Sequence, residues 1–180
     1  MHEATTGART VYDGRVVRLD VLDVRLEDGS PAKREIVRHA PAVAVLPRLP
    51  DGTFLLVRQF RKAMEADVLE LCAGLNEPGE APEAAARREL LEETGCTAER
   101  MVHLGTIYSS PGYTDEVIDL YYADCAAPRA EATLDEDARV ETVPLREAEL
   151  EGMLRDNRIR DGKTVAAWAL YRMRVRAHGD

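Results

Sequence analysis

Residues 74–96 read GLNEPGEAPEAAARRELLEETGC, from Gly74 to Cys96, and the rest of the chain is interpreted outward from them. Pro82 suits a first helical position, because its φ is already helical and its missing N–H is one the helix leaves unbonded anyway. Ala81 before it is a poor N-cap, while Glu83 puts a negative charge where the macrodipole favours it. Ala84 to Thr94 is dominated by Ala, Arg, Leu and Glu, all strong helix formers, and Gly95 is the residue type expected at a left-handed stop. At about 100° per residue, Glu89, Glu92 and Glu93 share one helix face at i, i+3 and i+4. Leu90 and Leu91 point away from it, toward the expected core. Three crowded carboxylates repel. Arg88 can pair with Glu92 four residues on, but one guanidinium does not neutralise three charges. A hard divalent cation does, and oxygen-only ligands select Mg²⁺ or Mn²⁺. A Glu-rich helix is otherwise usually a solvated face. The loop before this one, with Gly74, Gly79 and Glu80, tips the reading toward a metal site.

Gly74, Glu80, Arg88, Glu89, Leu90, Glu92, Glu93, Gly95 and Cys96 fill the pattern G-x5-E-x7-R-E-U-x-E-E-x-G-U, with U a bulky apolar residue. From the chain's own residue frequencies, the seven fixed letters arise by chance at roughly one start position in 10⁷. The pattern resembles the signature of the Nudix hydrolases. That resemblance implies an α/β/α sandwich and hydrolysis of a nucleoside diphosphate linked to another moiety.

Three further segments are similar to the ADP-ribose pyrophosphatase branch of that family. Glu70-Leu71-Cys72-Ala73-Gly74 resembles its E-[LI]-P-A-G lead-in, with Cys72 in place of the usual proline. Ser110 to Glu116 resembles its S-P-G-x-[TS]-x-E loop. Arg34-Glu35, Pro41 to Val45 and Arg58-Gln59-Phe60-Arg61 resemble its N-terminal module and first core strands. The resemblance implies that the Ala73 carbonyl, Glu89 and Glu93 hold the metal, with Glu92 assisting. It implies that Arg88 and Glu80 support the loop–helix geometry around Gly74. Glu116 would activate or position the attacking water, and substitution of its neighbour Asp115 is expected to matter much less. Arg34, Arg61, Glu70 and Gly112 would contact substrate, and the N-terminal strands would be exchanged across a homodimer. Taken alone, Arg34 and Arg61 read as surface arginines, and only the resemblance around them brings the substrate reading level; Pro111-Gly112 alone reads as an ordinary tight turn. Pro111 would fix a bend and Gly112 would then be free to take φ > 0.

The 180 residues fit one domain, or one domain with a small appendage. A hydrophobic share of 45% is enough for a core. The net charge of −9 argues against a nucleic-acid partner, since phosphate backbones need a basic surface. A phosphorylated small molecule, here a nucleotide sugar, would be held by metal and a few local arginines. Cys72, Cys96 and Cys125 are widely spaced and odd in number, so neither a zinc site nor a disulfide framework is expected, only buried thiols in a reducing compartment. No signal segment and no apolar run of about 18 residues is found, so a cytoplasmic location away from membranes is expected.

The organisation expected is a β module over residues 1–40 and a hydrolase domain over 41–180. In the first, residues 11–38 read as strands. Val17, Leu19 and Val21 alternate, then Leu22, Val24 and Leu26 alternate in the other phase, which predicts a bulge or twist between them. Residues 27–31 form a turn. In the second, strands are expected over 42–46, 54–60, 68–71, 102–108, 117–123 and 140–143, with Asp51-Gly52 as a hairpin turn. Helical spacing covers 145–154 and 164–176, and 126–137 reads as an acidic loop. Strands alternating with helices around one core give an α/β (α+β) fold. The expected reaction converts ADP-ribose and water to AMP and ribose 5-phosphate. The alternatives are a broader nucleoside diphosphate sugar hydrolase, acting for example on GDP-mannose, and a non-catalytic nucleotide sensor.

Overall fold

The computed structural model describes residues 2–126 and 140–176. Most of the acidic segment read as a loop therefore lies outside the described residues. The chain divides into two compact units, one of Met1–Pro41 with Tyr108–Val117, the other of Ala42–Ile107 with Ile118–Asp180.

The first unit is a three-stranded antiparallel sheet of β1 (Ala4–Asp13), β2 (Val17–Arg25) and β3 (Pro31–His39), in that order. The β2–β3 pairing runs without a slip from Val17↔His39 to Arg25↔Pro31. The expected bulge inside β2 is absent. Both of its faces are partly covered, so its two apolar series are two faces of one regular strand. The register shifts lie instead in the β1–β2 pairing, between Thr5 and Gly7 and between Thr10 and Tyr12. Strand β1 extends well before residue 11. Its sequence ATTGARTVYD has no apolar alternation to announce it, and it is exposed along nearly its whole length.

In the second unit, a seven-stranded sheet is ordered β10-β5-β4-β9-β8, with β6 paired to β5 and β7 to β4. Its strands are β4 (Ala42–Arg48), β5 (Phe54–Arg61), β6 (Ala66–Glu70), β7 (Cys72–Leu75), β8 (Ala98–Tyr108), β9 (Val117–Cys125) and β10 (Val140–Leu145). Strand alternation divides the core in two. Ala44, Leu46, Phe54, Leu56, Leu120 and Tyr122 pack against α2 (Glu147–Arg155) and α3 (Gly162–Arg174) through Leu150, Ala167, Trp168 and Tyr171. Val43, Val45, Leu55, Val57, Tyr121 and Ala123 pack on the other face against Ala85, Ala86 and Leu90 of α1 (Pro82–Thr94). The result is an α/β/α sandwich.

Helix α1 begins without a side-chain cap at Ala81, and ends at Gly95 in the left-handed region (φ 68°) with its N–H on the Leu91 carbonyl. Its core face is Ala85, Ala86, Leu90 and Thr94. Leu91 is 41% exposed, so the expectation that both leucines face the core is corrected. One step of 100° past Leu90 carries Leu91 off the buried stripe. The Asp51-Gly52 turn forms as expected, with Gly52 at φ +86°. Between β6 and β7 the chain steps from the edge of β5 to the edge of β4. The residue at the step, Leu71, is buried, and its N–H is accepted by Thr164 Oγ1 of α3 at 3.0 Å.

Candidate active site

Arg88 organises the loop before α1. Its Nε and Nη2 donate to the two oxygens of Glu80 at 3.1 and 2.9 Å, and Nη2 also donates to the Leu75 carbonyl at 2.9 Å. Nη1 donates to Glu89 Oε1 at 2.6 Å and to Glu92 Oε2 at 3.1 Å. One guanidinium thus ties the loop to the first two carboxylates of the acidic face, using the forked donor geometry that distinguishes Arg from Lys. Glu80 also accepts the Glu77 N–H at 3.0 Å, and its pairing with Arg88 lowers its pKa.

Glu93 stands apart from that pair. Its carboxyl accepts the Ala73 N–H at 3.2 Å. Burial, with Glu89 and Glu70 nearby, raises its pKa from the ordinary 4.5 to about 7. Burial also raises Glu89, against the pull of Arg88. These carboxyls bind a proton or a cation in preference to standing bare. Gly74 leaves them room, because a Cβ there would lie 2.1 Å from the Glu89 carboxyl and displace it. The donor set available is the carboxylates of Glu89, Glu92 and Glu93 and the backbone carbonyl of Ala73, all oxygen, and this fits a hard divalent cation. Among the described residues, no three acidic, His or Cys side chains already converge on one metal position. Glu89 and Glu92 are turned to Arg88 instead.

Glu70 and Arg61 are brought together. Glu70 is 2% exposed; its Oε1 accepts from Arg61 Nε at 2.7 Å and its Oε2 accepts from Lys163 Nζ. Lys163 also donates to Asp161 Oδ1 at 3.0 Å. Asp161 caps α3 through the Thr164 N–H at 3.0 Å. Arg61, Glu70, Asp161 and Lys163 line a cleft of about 830 Å³. Sequence reading missed Lys163, which is 93 residues from Glu70. The Asp161-x-x-Thr164 cap was the available signal, since Asp at that spacing starts a helix earlier than the expected residue 164.

Arg34, Gly112 and Glu116 belong to the other unit. Arg34 donates from Nε to Glu3 Oε2 at 3.0 Å and from Nη1 to the Lys33 carbonyl at 2.9 Å. The segment 109–116 is stitched to β3. Val37 N–H donates to the Tyr113 carbonyl at 2.7 Å and Asp115 N–H to the Val37 carbonyl at 3.3 Å. Asp115 accepts from Arg38 Nη1 at 2.9 Å and from the His39 N–H at 3.0 Å. Asp115 thus anchors the segment to β3. Arg38 also donates to the buried Asp20 at 3.0 Å. Glu116 Oε1 lies 3.3 Å from His39 Nδ1, which is 2.8 Å from the Ala40 carbonyl. Gly112 does not take the positive φ expected of it. The chain makes a helical turn there, with the N–H groups of Tyr113 and Thr114 on the Ser110 carbonyl, both at 3.1 Å.

The chain matches the NUDIX domain family over residues 38–168. It belongs to the Nudix family. Residues 74–96 are thus the Nudix box, whose hydrolases depend on a divalent metal ion. The chain is similar to a protein of Bacillus methanolicus named methanol dehydrogenase activator, 42% identical over 92% of this chain and 90% of the relative. It is 38% identical to the ADP-ribose pyrophosphatase of Bacillus subtilis (strain 168), over 93% and 91% of the two chains. A GDP-mannose pyrophosphatase of Yersinia enterocolitica is 38% identical over 69% of each. Among solved structures, an ADP compounds hydrolase superposes with a TM-score of 0.87 at 25% identity, covering 99% of this chain and 97% of that one. The three cysteines are free and buried. Among the described residues no helix is long and apolar enough to cross a membrane.

Proposed function

We propose that this Nudix enzyme hydrolyses the pyrophosphate bond of ADP-ribose, with Mg²⁺ as its metal, to give AMP and ribose 5-phosphate. The likeness to the Bacillus subtilis ADP-ribose pyrophosphatase carries this reading. It extends over nearly the whole chain, so it takes in the segments outside the box, where substrate choice is made. Glu89, Glu93 and the Ala73 carbonyl hold the metal, with Glu92 at their margin. When bound, the metal neutralises phosphate oxygens and lowers the pKa of a coordinated water. Arg88 and Glu80 fix the loop, and Gly74 leaves room for the Glu89 carboxyl. The terminal nitrogens of Arg61 and Arg34 offer paired donors to diphosphate or hydroxyl oxygens. Glu116 takes the proton as the water oxygen bonds to phosphorus and the bridging P–O bond breaks. His39 holds that carboxylate in place. The site is completed in a homodimer through the N-terminal strands, too small a sheet to be stable alone.

The test is a panel of ADP-ribose, ADP-glucose, GDP-mannose, FAD and diadenosine polyphosphates with Mg²⁺, with products identified. ADP-ribose is expected to lead ADP-glucose and GDP-mannose by at least about tenfold in kcat/KM, or roughly 1.4 kcal/mol. Equal or better turnover of GDP-mannose, which the Yersinia relative makes the second reading, moves the protein to that branch. No turnover at all revives the nucleotide-sensor reading, against which the full set of box glutamates stands. Sedimentation showing a fully active monomer at micromolar concentration would remove the dimer.

A further inference from the structure

Arginine–carboxylate pairs commonly close as a two-pronged fork. Arg61 and Glu70 do not. Only Nε of Arg61 donates, to Oε1 at 2.7 Å, and the second oxygen of Glu70 is occupied by Lys163 Nζ. Lys163 is itself fixed. Its side chain is 11% exposed, and Asp161, the cap of α3, holds the same ammonium at 3.0 Å. Among the described residues, the two terminal nitrogens of Arg61 donate to no protein group. The Arg61 side chain is 43% exposed and lines the cleft. At about 830 Å³ that cleft is of the size that accepts a small molecule.

We propose that Lys163 is a positioning residue for Arg61. By occupying the second oxygen of Glu70, it confines Arg61 to a single Nε bond and leaves the outer edge of the guanidinium free for a diphosphate. The inference rests on the hydrolase reading above and adds a residue to it. Without Lys163, Glu70 keeps a buried charge with one oxygen unpaired, and the nearest remaining donors are those terminal nitrogens. Arg61 then swings into the two-pronged pairing and its donors are lost to the ligand. A cation in the lysine's place is all that the arrangement demands. Lys163→Arg should therefore recover most of the loss.

The experiment is a double-mutant cycle over Lys163→Met and Arg61→Ala, read by calorimetric titration of inorganic pyrophosphate in EDTA. Lys163→Met is expected to weaken binding roughly tenfold, the scale of a hydrogen bond to a charged group. In the Arg61→Ala background it is expected to change nothing further, because coupled residues are non-additive. In turnover, KM for ADP-ribose should rise about tenfold with kcat within about threefold. An undiminished effect of Lys163→Met when Arg61 is absent overturns the relay, as does a wild type that binds no pyrophosphate. If the wild type binds pyrophosphate but leaves ADP-ribose intact, the substrate reading falls, and the calorimetric cycle still judges Lys163. Should Lys163→Met fail to fold, Lys163→Ala, which keeps Glu70 charged, replaces it in the same cycle with the same expected and overturning results.

Discussion

Glu93 shows how a single buried carboxyl couples stability to proton and metal. Its folded-state pKa of about 7 lies above the ordinary 4.5 because burial disfavours the charge. Between those values the folded state keeps a proton that the unfolded state has released. The stability this group contributes is present below about 4.5 and is lost as pH rises to about 7. A shift of that size corresponds to about 3 kcal/mol. In EDTA, thermal unfolding of the wild type should therefore show a falling Tm across that window. Glu93→Gln should flatten the fall while reducing turnover in Mg²⁺ to below about a tenth. A variant with a rate near wild type would remove Glu93 from the metal set. Gly74 makes a complementary case. The atoms that a Cβ would meet there are the far end of the Glu89 side chain, which can swing away at little cost in stability. Gly74→Ala should therefore unfold near the wild-type temperature, yet need about tenfold more Mg²⁺ for half-maximal rate, because a displaced charge-bearing ligand forfeits an interaction of that order. A large drop in Tm with unchanged metal demand would contradict this.

At the scale of the element, the segment from Ser109 to Glu116 is held by β3 through Val37, Arg38 and His39. Glu116→Gln should lower kcat by 10²- to 10⁴-fold, with KM little changed, as expected for loss of a general base. Asp115→Ala removes the anchor and should cost roughly tenfold in kcat as the carboxylate of the next residue loses its fixed orientation. Steady-state kinetics of the two variants side by side decide this, and an unaffected Glu116→Gln would shift the proton acceptor to Glu92. Most of the layout was legible before any coordinates. Short apolar runs mark β4, β5 and β9 because both of their faces are largely buried there, and the Pro82-to-Gly95 punctuation marks α1. What was hidden has a physical reason in each case. Strand β1 is exposed along most of its length and so carries no apolar period. The anchoring role of Asp115 depends on residues 76 and 77 positions away. The partner of Glu70 lies on α3, where no local spacing points to it. Gly112 was read as free to take a positive φ, and the turn formed there makes no use of that freedom.

At the scale of the whole molecule, the two units are interleaved along the chain. The first takes its strands from Met1–Pro41 and its loop from Tyr108–Val117. The 1–40 boundary expected from sequence omits that second piece. Gene-level exchange feels the consequence. Residues 37–39 and 113–115 are two halves of one fitted joint written far apart in the reading frame, so neither half is a transferable cassette. A chimera that borrows only residues 1–41 from the Bacillus subtilis relative should express and fold, yet turn over at least about tenfold more slowly than either parent, for the same loss of orientation at Glu116. Moving 108–117 along with them should restore the rate, because a joint recombined whole keeps its own register. A change at Arg38 is in this sense also a change at Asp115, its partner 77 positions further along the chain.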